Sequence, residues 1–217
     1  MHCFLYHPLR LAGLFGLLLL LAACPLPSRA ATPSGSLLVL GDSISAAYGM
    51  SLDQGWVALL ARRLASNYPD VEVVNASISG DTTDGGLRRL PPLLARHRPI
   101  AVVVQLGGND VLRGFSPTLI GDNLSRMADL ASEAGAAVLL LPMEPPDNYG
   151  PAYATGVRDA YLGAAKASGA RLGSFIFAGM KGDPAMRQAD DLHPTPAAQP
   201  RMLDNVWDDI TNLLADL

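Results

Sequence analysis

Short apolar runs that alternate with longer segments of helical periodicity constrain the fold of this chain more than any other feature. The clearest run, Ile100–Leu106, is rich in β-branched residues, which suit a strand. Runs that are apolar throughout are typical of strands buried on both faces of a parallel sheet. Because helical segments separate the runs, the sequence predicts an α/β fold, with helices on both sides of one parallel sheet. The other expected strands are Ser36–Leu40, Val71–Val74, Val138–Leu141 and a short fifth strand near Arg171–Phe175.

The segments between the runs carry apolar residues three or four positions apart, the spacing of a helix with one buried face. Ser116-Pro117 offers an N-cap followed by proline at the first helical position, and Gly135 suits the end of that helix. A helix through Leu87, Leu90 and Leu94 is expected to bend or restart at the adjacent prolines. Those prolines are Pro91 and Pro92. The remaining helices are expected at Trp56–Ala65, near Tyr153–Ala167 and after Thr195-Pro196.

The first thirty residues have the composition of an export leader and are expected to lie outside the fold. Leu11–Ala23 is almost wholly apolar but shorter than the roughly 20 residues of a membrane span. Two processing sites compete. Ser28-Arg29-Ala30 predicts cleavage after Ala30 and a soluble protein, whereas Leu21-Ala22-Ala23-Cys24 resembles a bacterial lipobox and predicts a lipid anchor at Cys24. Either route leads to the bacterial periplasm; an uncleaved helical anchor is the third alternative.

Residues 31–217 are expected to form a single domain, because 217 residues suit one domain after a short leader. The only two cysteines, Cys3 and Cys24, lie in or beside the leader. No cysteine within the domain is therefore available as a nucleophile, a metal ligand or a disulfide partner. A net charge of −4 gives no reason to expect nucleic-acid binding. A local basic run is expected to be a solvated helix face: Arg88, Arg89, Arg96 and Arg98.

Three polar, glycine-bearing segments follow the first three predicted strands. They are Gly41-Asp42-Ser43, Asn75–Asp81 and Gly107–Asp110. In sheets of this kind ligands bind at the carboxyl ends of the strands. These segments are therefore expected to converge as loops on one edge of the sheet and to form the site.

Ser43 is a candidate nucleophile, which needs a neighbouring base to take its proton. Outside the leader the chain has only two histidines. His193 lies in a loop before the last helix, whereas His97 lies in the basic end of a helix, so His193 is preferred as the base. Asp190, three residues before His193, is preferred as the carboxylate that orients the imidazole, and Asp191 is its rival.

Acyl transfer also requires donors aimed at the developing oxyanion. The backbone N–H groups of Ser43 and Gly80 and the side-chain amide of Asn109 are expected to supply them. Each of these residues taken alone is an ordinary turn residue. Their conjunction at successive strand ends is what indicates catalysis, and Asp42 is expected to tie down its loop rather than to react.

Several other chemistries lack their sequence patterns. The chain contains no G-x-S-x-G elbow, no G-x-x-x-x-G-K-[ST] loop and no H-E-x-x-H motif. No dinucleotide fingerprint follows the first strand. We therefore expect neither a metal nor a cofactor.

Four blocks of the chain resemble the GDSL, or SGNH, hydrolases. The family is named for a serine, a glycine, an asparagine and a histidine, which fall here on Ser43, Gly80, Asn109 and His193, with the acidic member at Asp190. Further short segments resemble the subgroup of periplasmic thioesterase I, lysophospholipase and arylesterase enzymes. The blocks are Gly41–Ser45, Asn75–Asp81, Gly107–Asp110 and Asp190–Pro194, and the subgroup segments are Leu112–Phe115, Asn148–Gly150 and Ala198–Pro200.

The resemblance implies a flavodoxin-like three-layer α/β/α sandwich with a five-stranded parallel sheet. It also implies hydrolysis of small acyl esters and thioesters, including aryl esters, acyl-CoA and lysophospholipids, through an acyl-serine intermediate. The segment Leu112–Pro117 is expected to move over the acyl chain, with Leu112, Phe115, Pro145 and Pro146 as candidate substrate-loop residues.

The sequence departs from the subgroup at a few positions near the expected site. Ala47 and Asp191 stand where glycine is common, Val111 where a small residue is usual, and Glu144 at the expected acyl-chain groove. Two other functions stay open: a carbohydrate O-acetylesterase, and a periplasmic acyl- or lipid-binding protein without turnover. Leu112 and Phe115 favour acyl chains over sugars.

Overall fold

A computed structural model describes residues 1–2 and 34–217 of the chain. The chain divides into two units, Met1–Ala31 and Thr32–Leu217, and the second unit contains the sheet and its helices. The expected processing sites at Cys24 and Ala30 lie outside the described residues.

The sheet has five parallel strands in the order β2-β1-β3-β4-β5. At its centre, Val39 pairs with Asn75 on one side and with Val103 on the other. The predicted α/β fold is confirmed. The strands are β1 (Gly35–Gly41), β2 (Val71–Asn75), β3 (Ala101–Gln105), β4 (Ala137–Leu140) and β5 (Arg171–Leu172).

The fifth strand is shorter than the sequence predicts. Gly173 still donates its N–H to Leu140, but the next residue, Ser174, donates to the carboxylate of Asp209 at 2.7 Å. This side chain draws the backbone away from the sheet, so Phe175 lies beyond the strand.

Helices cover both faces of the sheet. On one side α1 packs with α6, and on the other α4 packs with α2 and α5. Four single turns of 3₁₀ helix lie in the connections, at Leu52–Gln54, Asp147–Tyr149, Pro184–Met186 and Pro196–Ala198. The helices are α1 (Trp56–Asn67), α2 (Thr83–His97), α3 (Gly108–Leu112), α4 (Pro117–Glu133), α5 (Pro151–Ser168) and α6 (Gln199–Ala215).

Two local expectations differ from the structure. Helix α2 does not restart at the prolines but continues through Pro91 and Pro92 as one element, with both prolines exposed and with Leu90 and Leu94 in the core. The residues after β3, expected to be a loop, begin the short helix α3 at Gly108.

The core lies between the sheet and the two helical layers. Every residue of β3 is buried, as the continuous apolar run predicts. The first strand is equally enclosed from Leu37 to Leu40. Burial on both faces fixes the strands, so the segments that follow their carboxyl ends start from rigid positions. Within residues 34–217, no helix combines the length and apolarity needed to cross a bilayer.

Candidate active site

Ser43 lies in a tight turn directly after β1. The carboxylate of Asp42 accepts the N–H of Ile44 at 3.0 Å, which closes the turn as expected of Asp42. The hydroxyl of Ser45 donates to Gln105 at 2.6 Å, and Asn75 donates its side-chain amide to the Ser45 carbonyl at 2.8 Å. Bonds from two neighbouring strands therefore hold the turn that presents Ser43.

The structure brings Ser43, His193 and Asp190 together in series. The Nε2 atom of His193 lies 3.0 Å from the Ser43 hydroxyl oxygen, and its Nδ1 atom lies 2.6 Å from a carboxylate oxygen of Asp190. The other Asp190 oxygen accepts the N–H groups of Leu192 and His193, both at 3.0 Å. These backbone and side-chain hydrogen bonds, first from His193 and then from Leu192, lower the pKa of Asp190 to about 2.

The rival candidates lie elsewhere. Asp191 has a left-handed backbone with φ +60°, and its N–H and carbonyl are engaged by Gln188 and Arg187. His97 ends helix α2, and its carbonyl accepts the hydroxyl of Ser36 near the start of β1. That is the opposite edge of the sheet from Ser43.

The three predicted oxyanion donors lie on one cavity. Gly80 has φ +79°, and no heavy atom lies within 4 Å of the position a Cβ would take, so its backbone is open to a ligand. The side-chain amide of Asn109 donates to the Asp81 carbonyl at 2.9 Å and makes a longer contact of 3.3 Å with the Asp42 carboxylate.

Helix α3 carries Asn109, and a buried polar network fixes this helix. Asp110 accepts the N–H of Thr83 at 2.9 Å and its hydroxyl at 2.5 Å, and Asn123 donates to the same hydroxyl at 3.0 Å. The network joins α3 to α2 and α4. Because all three side chains are buried, the position of Asn109 depends on the packing of three helices.

The start of α3 requires a glycine. Gly107 has φ +117°, and a Cβ there would collide with the hydroxyl of Tyr161. That hydroxyl is buried and donates to the Leu106 carbonyl at 2.5 Å. Burial holds the pKa of Tyr161 well above its usual value, so the hydroxyl stays a donor.

Arg89 corrects the expectation of a solvated arginine face. Its guanidinium pairs with Asp81 at 2.7 Å, and both side chains are largely buried. It also donates to the carbonyls of Ala76 and Gly41. One side chain of α2 thus ties together the segments that follow β1 and β2. The charge pattern alone could not show this, because the carbonyl partners belong to the backbone.

Asp42 is a buried carboxyl beside Ser43, only 1% exposed. Desolvation raises its pKa to about 6, although the hydrogen bond from Ile44 and the nearby His193 act in the opposite direction. The site therefore contains two carboxyls whose pKa values are shifted in opposite directions, Asp42 upward by burial and Asp190 downward by hydrogen bonds.

A cavity of about 540 Å³ opens above Ser43 and His193. Of the predicted substrate-loop residues, Leu112, Pro145 and Pro146 line it. Among the described residues, Phe115 is not part of that lining. Its N–H bonds to the Asp110 carbonyl and its own carbonyl accepts the Tyr153 hydroxyl at 2.7 Å, so this part of the loop packs on helix α5 instead.

Several cavity residues are missing from the sequence-based prediction. The ring of Tyr48 lies 4.3 Å from the ring of His193, centroid to centroid. Beyond β5, the connection to α6 supplies a further wall with two phenylalanines in edge-to-face contact. The rule that sites form at strand carboxyl ends would have pointed to this segment. Its cavity residues include Phe175, Phe177, Met180 and Met186.

A serine, an imidazole and a carboxylate joined in series, beside converging N–H donors, define the class of serine hydrolases. Comparison with protein families places the chain within that class. A profile described as the GDSL-like lipase/acylhydrolase family matches residues 39–200. The chain belongs to this family and is a hydrolytic enzyme, which confirms the resemblance shown by its four sequence blocks.

Three curated relatives match most of the chain. The esterase TesA of Pseudomonas aeruginosa is 52% identical over 82% of this chain and 89% of its own. The arylesterase of Vibrio mimicus is 44% identical over 80% and 86%, respectively. A protein of Escherichia coli named thioesterase 1/protease 1/lysophospholipase L1 is 41% identical over 80% and 82%.

Solved structures share the fold. A crystal structure of TesA has a TM-score of 0.80 and 52% identity, covering 82% of this chain and 99% of that one. The psychrotrophic esterase EstA of Pseudoalteromonas, inhibited by monoethylphosphonate, also has a TM-score of 0.80, with 36% identity, covering 84% of this chain and all of that one. The three-layer fold expected from the resemblance is confirmed.

Proposed function

We propose that this chain is an exported hydrolase of carboxylic esters and acyl-thioesters that works through an acyl-Ser43 intermediate. One observation carries the proposal: the continuous series Asp190–His193–Ser43, with contacts of 2.6 and 3.0 Å, whose Ser43 and His193 line the cavity. The names of the three relatives, which include esterase, arylesterase, thioesterase and lysophospholipase, support this substrate range.

In the first step, the Nε2 atom of His193 accepts the Ser43 proton while the Ser43 oxygen attacks the acyl carbonyl. Asp190 accepts a hydrogen bond from the Nδ1–H and thereby sets the tautomer that leaves Nε2 free. Because hydrogen bonds hold the pKa of Asp190 at about 2, its carboxylate stays charged wherever the imidazole is neutral, and it stabilises the imidazolium that forms.

The oxyanion is stabilised by the N–H groups of Ser43 and Gly80 and by the amide of Asn109. Asn109 keeps its 2.9 Å bond to Asp81, which fixes the side chain. Its 3.3 Å contact with Asp42 is the weaker one and is exchanged for the oxyanion when substrate binds.

The imidazolium then protonates the leaving alcohol or thiol, and the acyl group remains on Ser43. Water enters, His193 accepts its proton, and the same donors stabilise the second tetrahedral intermediate. Collapse of that intermediate releases the carboxylic acid and restores the Ser43 hydroxyl. The cycle requires only groups of this chain and water.

The apolar lining of the cavity favours acyl chains over sugars as the bound group. Leu112, Pro145 and Phe177 present hydrocarbon surface to the cavity that Ser43 lines. Glu144 and Asp147 line the same cavity and add two carboxylates to it. We therefore propose an acyl-chain hydrolase rather than a carbohydrate O-acetylesterase.

The nucleophile and base are tested by replacing them and measuring hydrolysis of a nitrophenyl ester. We expect Ser43→Ala and His193→Gln each to lower kcat by roughly 10³-fold or more. His97→Gln, the other histidine outside the leader, is the matched control and should leave kcat unchanged. Undiminished turnover by Ser43→Ala, or failure of an organophosphonate to label Ser43 of the wild type, would refute the mechanism.

Export is the remaining part of the proposal and rests on the leader composition. Expression of the full chain in a Gram-negative host, followed by mass spectrometry of the purified protein, gives its N-terminus. A chain beginning at Ala31 supports the soluble form, and a lipidated chain beginning at Cys24 supports the anchored form. A cytoplasmic protein that retains Met1 would refute export.

A further inference from the structure

Asp190 and His193 lie on a small hairpin, residues 186–195, that is closed by its own hydrogen bonds. Arg187 and Pro194 form an antiparallel bridge. Within this hairpin, Gln188 donates its N–H to the His193 carbonyl at 2.7 Å, and Thr195 donates to the Met186 carbonyl at 3.1 Å. The Asp190–His193 pair is thus internal to the hairpin, whereas the nucleophile lies on the turn of residues 43–50.

The side chain of Gln188 joins these two segments. Its Nε2 atom donates to the Tyr48 carbonyl on the nucleophile turn at 2.8 Å and to the Pro194 carbonyl on the hairpin at 3.0 Å. Both partners are carbonyl oxygens, so the NH₂ end of the amide must face them. In the part of the chain that the structure describes, the Ser43–His193 contact is the other hydrogen bond between the turn and the hairpin.

Each partner of Gln188 is linked through the backbone to Ser43 or His193. Pro194 follows His193 directly. Tyr48 donates its own N–H to the Ser43 carbonyl at 3.2 Å, so the Tyr48 backbone is tied to the nucleophile. A single half-buried amide therefore bridges the segment that carries His193 and the segment that carries Ser43.

Two neighbouring features show that this approach is close. Gly49 has φ +74°, and a Cβ at this position would collide with the Gln188 amide. The Tyr48 ring packs against the His193 ring, with centroids 4.3 Å apart. Both features bring the turn against the hairpin where Gln188 crosses between them.

We propose that Gln188 is a positioning residue for catalysis: its amide holds the His193 hairpin at hydrogen-bond distance from Ser43. The inference rests on the roles of Ser43 and His193 proposed above. A shift of about 1 Å between reacting groups can lower a rate by about 10²-fold. Loss of the Gln188 hydrogen bonds is therefore expected to act mainly on kcat.

The test replaces Gln188 with methionine, which keeps the length of the side chain and removes both donors, and with glutamate, which keeps the shape and turns a carboxylate oxygen toward the carbonyls. Thr195→Val is the matched control. It removes the 2.7 Å bond from the Thr195 hydroxyl to the Ala185 carbonyl beside the hairpin but leaves the hydrogen bonds of the Gln188 amide in place. Kinetics with a short nitrophenyl ester, the rate of Ser43 labelling by an organophosphonate, and the low-field proton NMR signal of the His193 Nδ1–H are measured for each.

We expect both Gln188 variants to lower kcat about 10- to 100-fold with KM within about twofold, and to slow labelling of Ser43 by a similar factor. The low-field signal should persist, because the Asp190–His193 pair is internal to the hairpin. Thr195→Val should retain wild-type kcat.

Wild-type kcat in the Gln188→Met variant, an effect on KM alone, or an equal loss in Thr195→Val would overturn the inference. Loss of the low-field signal would also overturn it, since the defect would then lie in the Asp190–His193 pair. If instead the wild type shows no labelling at Ser43, the proposed function fails, and that result is distinct from every outcome that concerns Gln188.

Discussion

At the scale of single residues, neighbouring groups shift the pKa values of two carboxyls in the site, Asp190 and Asp42. Asp190 is stabilised as an anion by three hydrogen bonds from the hairpin that carries it. Asp42 is buried in the turn that carries Ser43, where its anion is destabilised by loss of solvent. The sequence shows both as acidic residues close to Ser43 or His193. Only their surroundings in the folded protein shift their pKa values in opposite directions.

Asp190 and Asp191 offer a comparison between adjacent acids. We expect Asp190→Asn to lower kcat by about 10⁴-fold, because an amide in place of the carboxylate favours the wrong imidazole tautomer. Asp191→Asn should stay close to wild type, since the Asp191 backbone rather than its carboxylate makes the hairpin contacts. Steady-state hydrolysis of a nitrophenyl ester measures both, and a larger loss in Asp191→Asn would exchange their roles.

Asp42 predicts a dependence of stability on pH. Its pKa in the folded protein is about 6, against an ordinary value of 3.8, so between these pH values the folded state keeps a proton that the unfolded state releases. Protonated Asp42 therefore makes its full contribution to the free energy of unfolding below about pH 4. This contribution decreases as pH rises, and above pH 6 the total loss is about 3 kcal/mol.

Replacing Asp42 with asparagine removes this titration while keeping an acceptor for Ile44. The free energy of unfolding of Asp42→Asn, relative to wild type, should therefore rise by about 2.5 kcal/mol between pH 4 and pH 8. Urea unfolding at the two pH values measures the change. A constant difference between the two proteins would show that Asp42 carries no such penalty.

At the scale of secondary-structure elements, long-range side chains complete what local sequence begins. Helix α1 starts after Gly55, which has no side chain to cap it. The N–H of Trp56 donates instead to the side chain of Gln199, the first residue of α6, at 2.9 Å. Gln199 is fully buried, so a buried hydrogen bond joins the two helices. The sequence of either helix alone does not predict this bond.

Gln199→Ala is expected to destabilise the protein by about 1–3 kcal/mol, because it leaves the buried Trp56 N–H without an acceptor. Gln54→Ala is the matched control. Gln54 caps a 3₁₀ turn by accepting the N–H of Ser51 at an exposed position, so its loss should cost about 0.5 kcal/mol or less. Urea denaturation compares the two, and equal losses would argue against the role of Gln199.

At the scale of the whole molecule, five connections from different parts of the chain enclose the cavity. The turn after β1, the segment after β2, helix α3, the segment after β4 and the segment after β5 all contribute walls. A largely apolar enclosure predicts that longer acyl groups bind better until the space is filled. This behaviour belongs to the assembled fold, since no single connection forms the cavity.

We expect kcat/KM for nitrophenyl esters to rise about three- to fourfold for each added methylene among short acyl chains, from about 0.8 kcal/mol of burial each. Phe177→Ala should reduce this increment, and the exposed, distant Leu162→Ala should not. A maximum at the acetyl ester with no gain from added methylenes would instead favour the O-acetylesterase alternative.

Short windows of sequence were enough to predict the succession of strands and helices and the strand ends at which the site forms. Apolar periodicity reports burial, and burial follows from a regular backbone, so β1, β3 and α4 were predictable in this way. The scarcity of histidine pointed to His193, and the three-residue spacing pointed to Asp190. The structure joins both to Ser43.

The residues that complete the site depend on contacts between distant parts of the chain. The Gln188–Tyr48 bond joins residues 140 positions apart, and the Trp56–Gln199 bond joins residues 143 positions apart. Packing likewise bonds the Phe115 carbonyl to Tyr153 of α5 and brings Phe177 to the cavity. Local periodicity carries no record of such contacts, because they exist only once the sheet and its helices have set the positions of distant backbone groups.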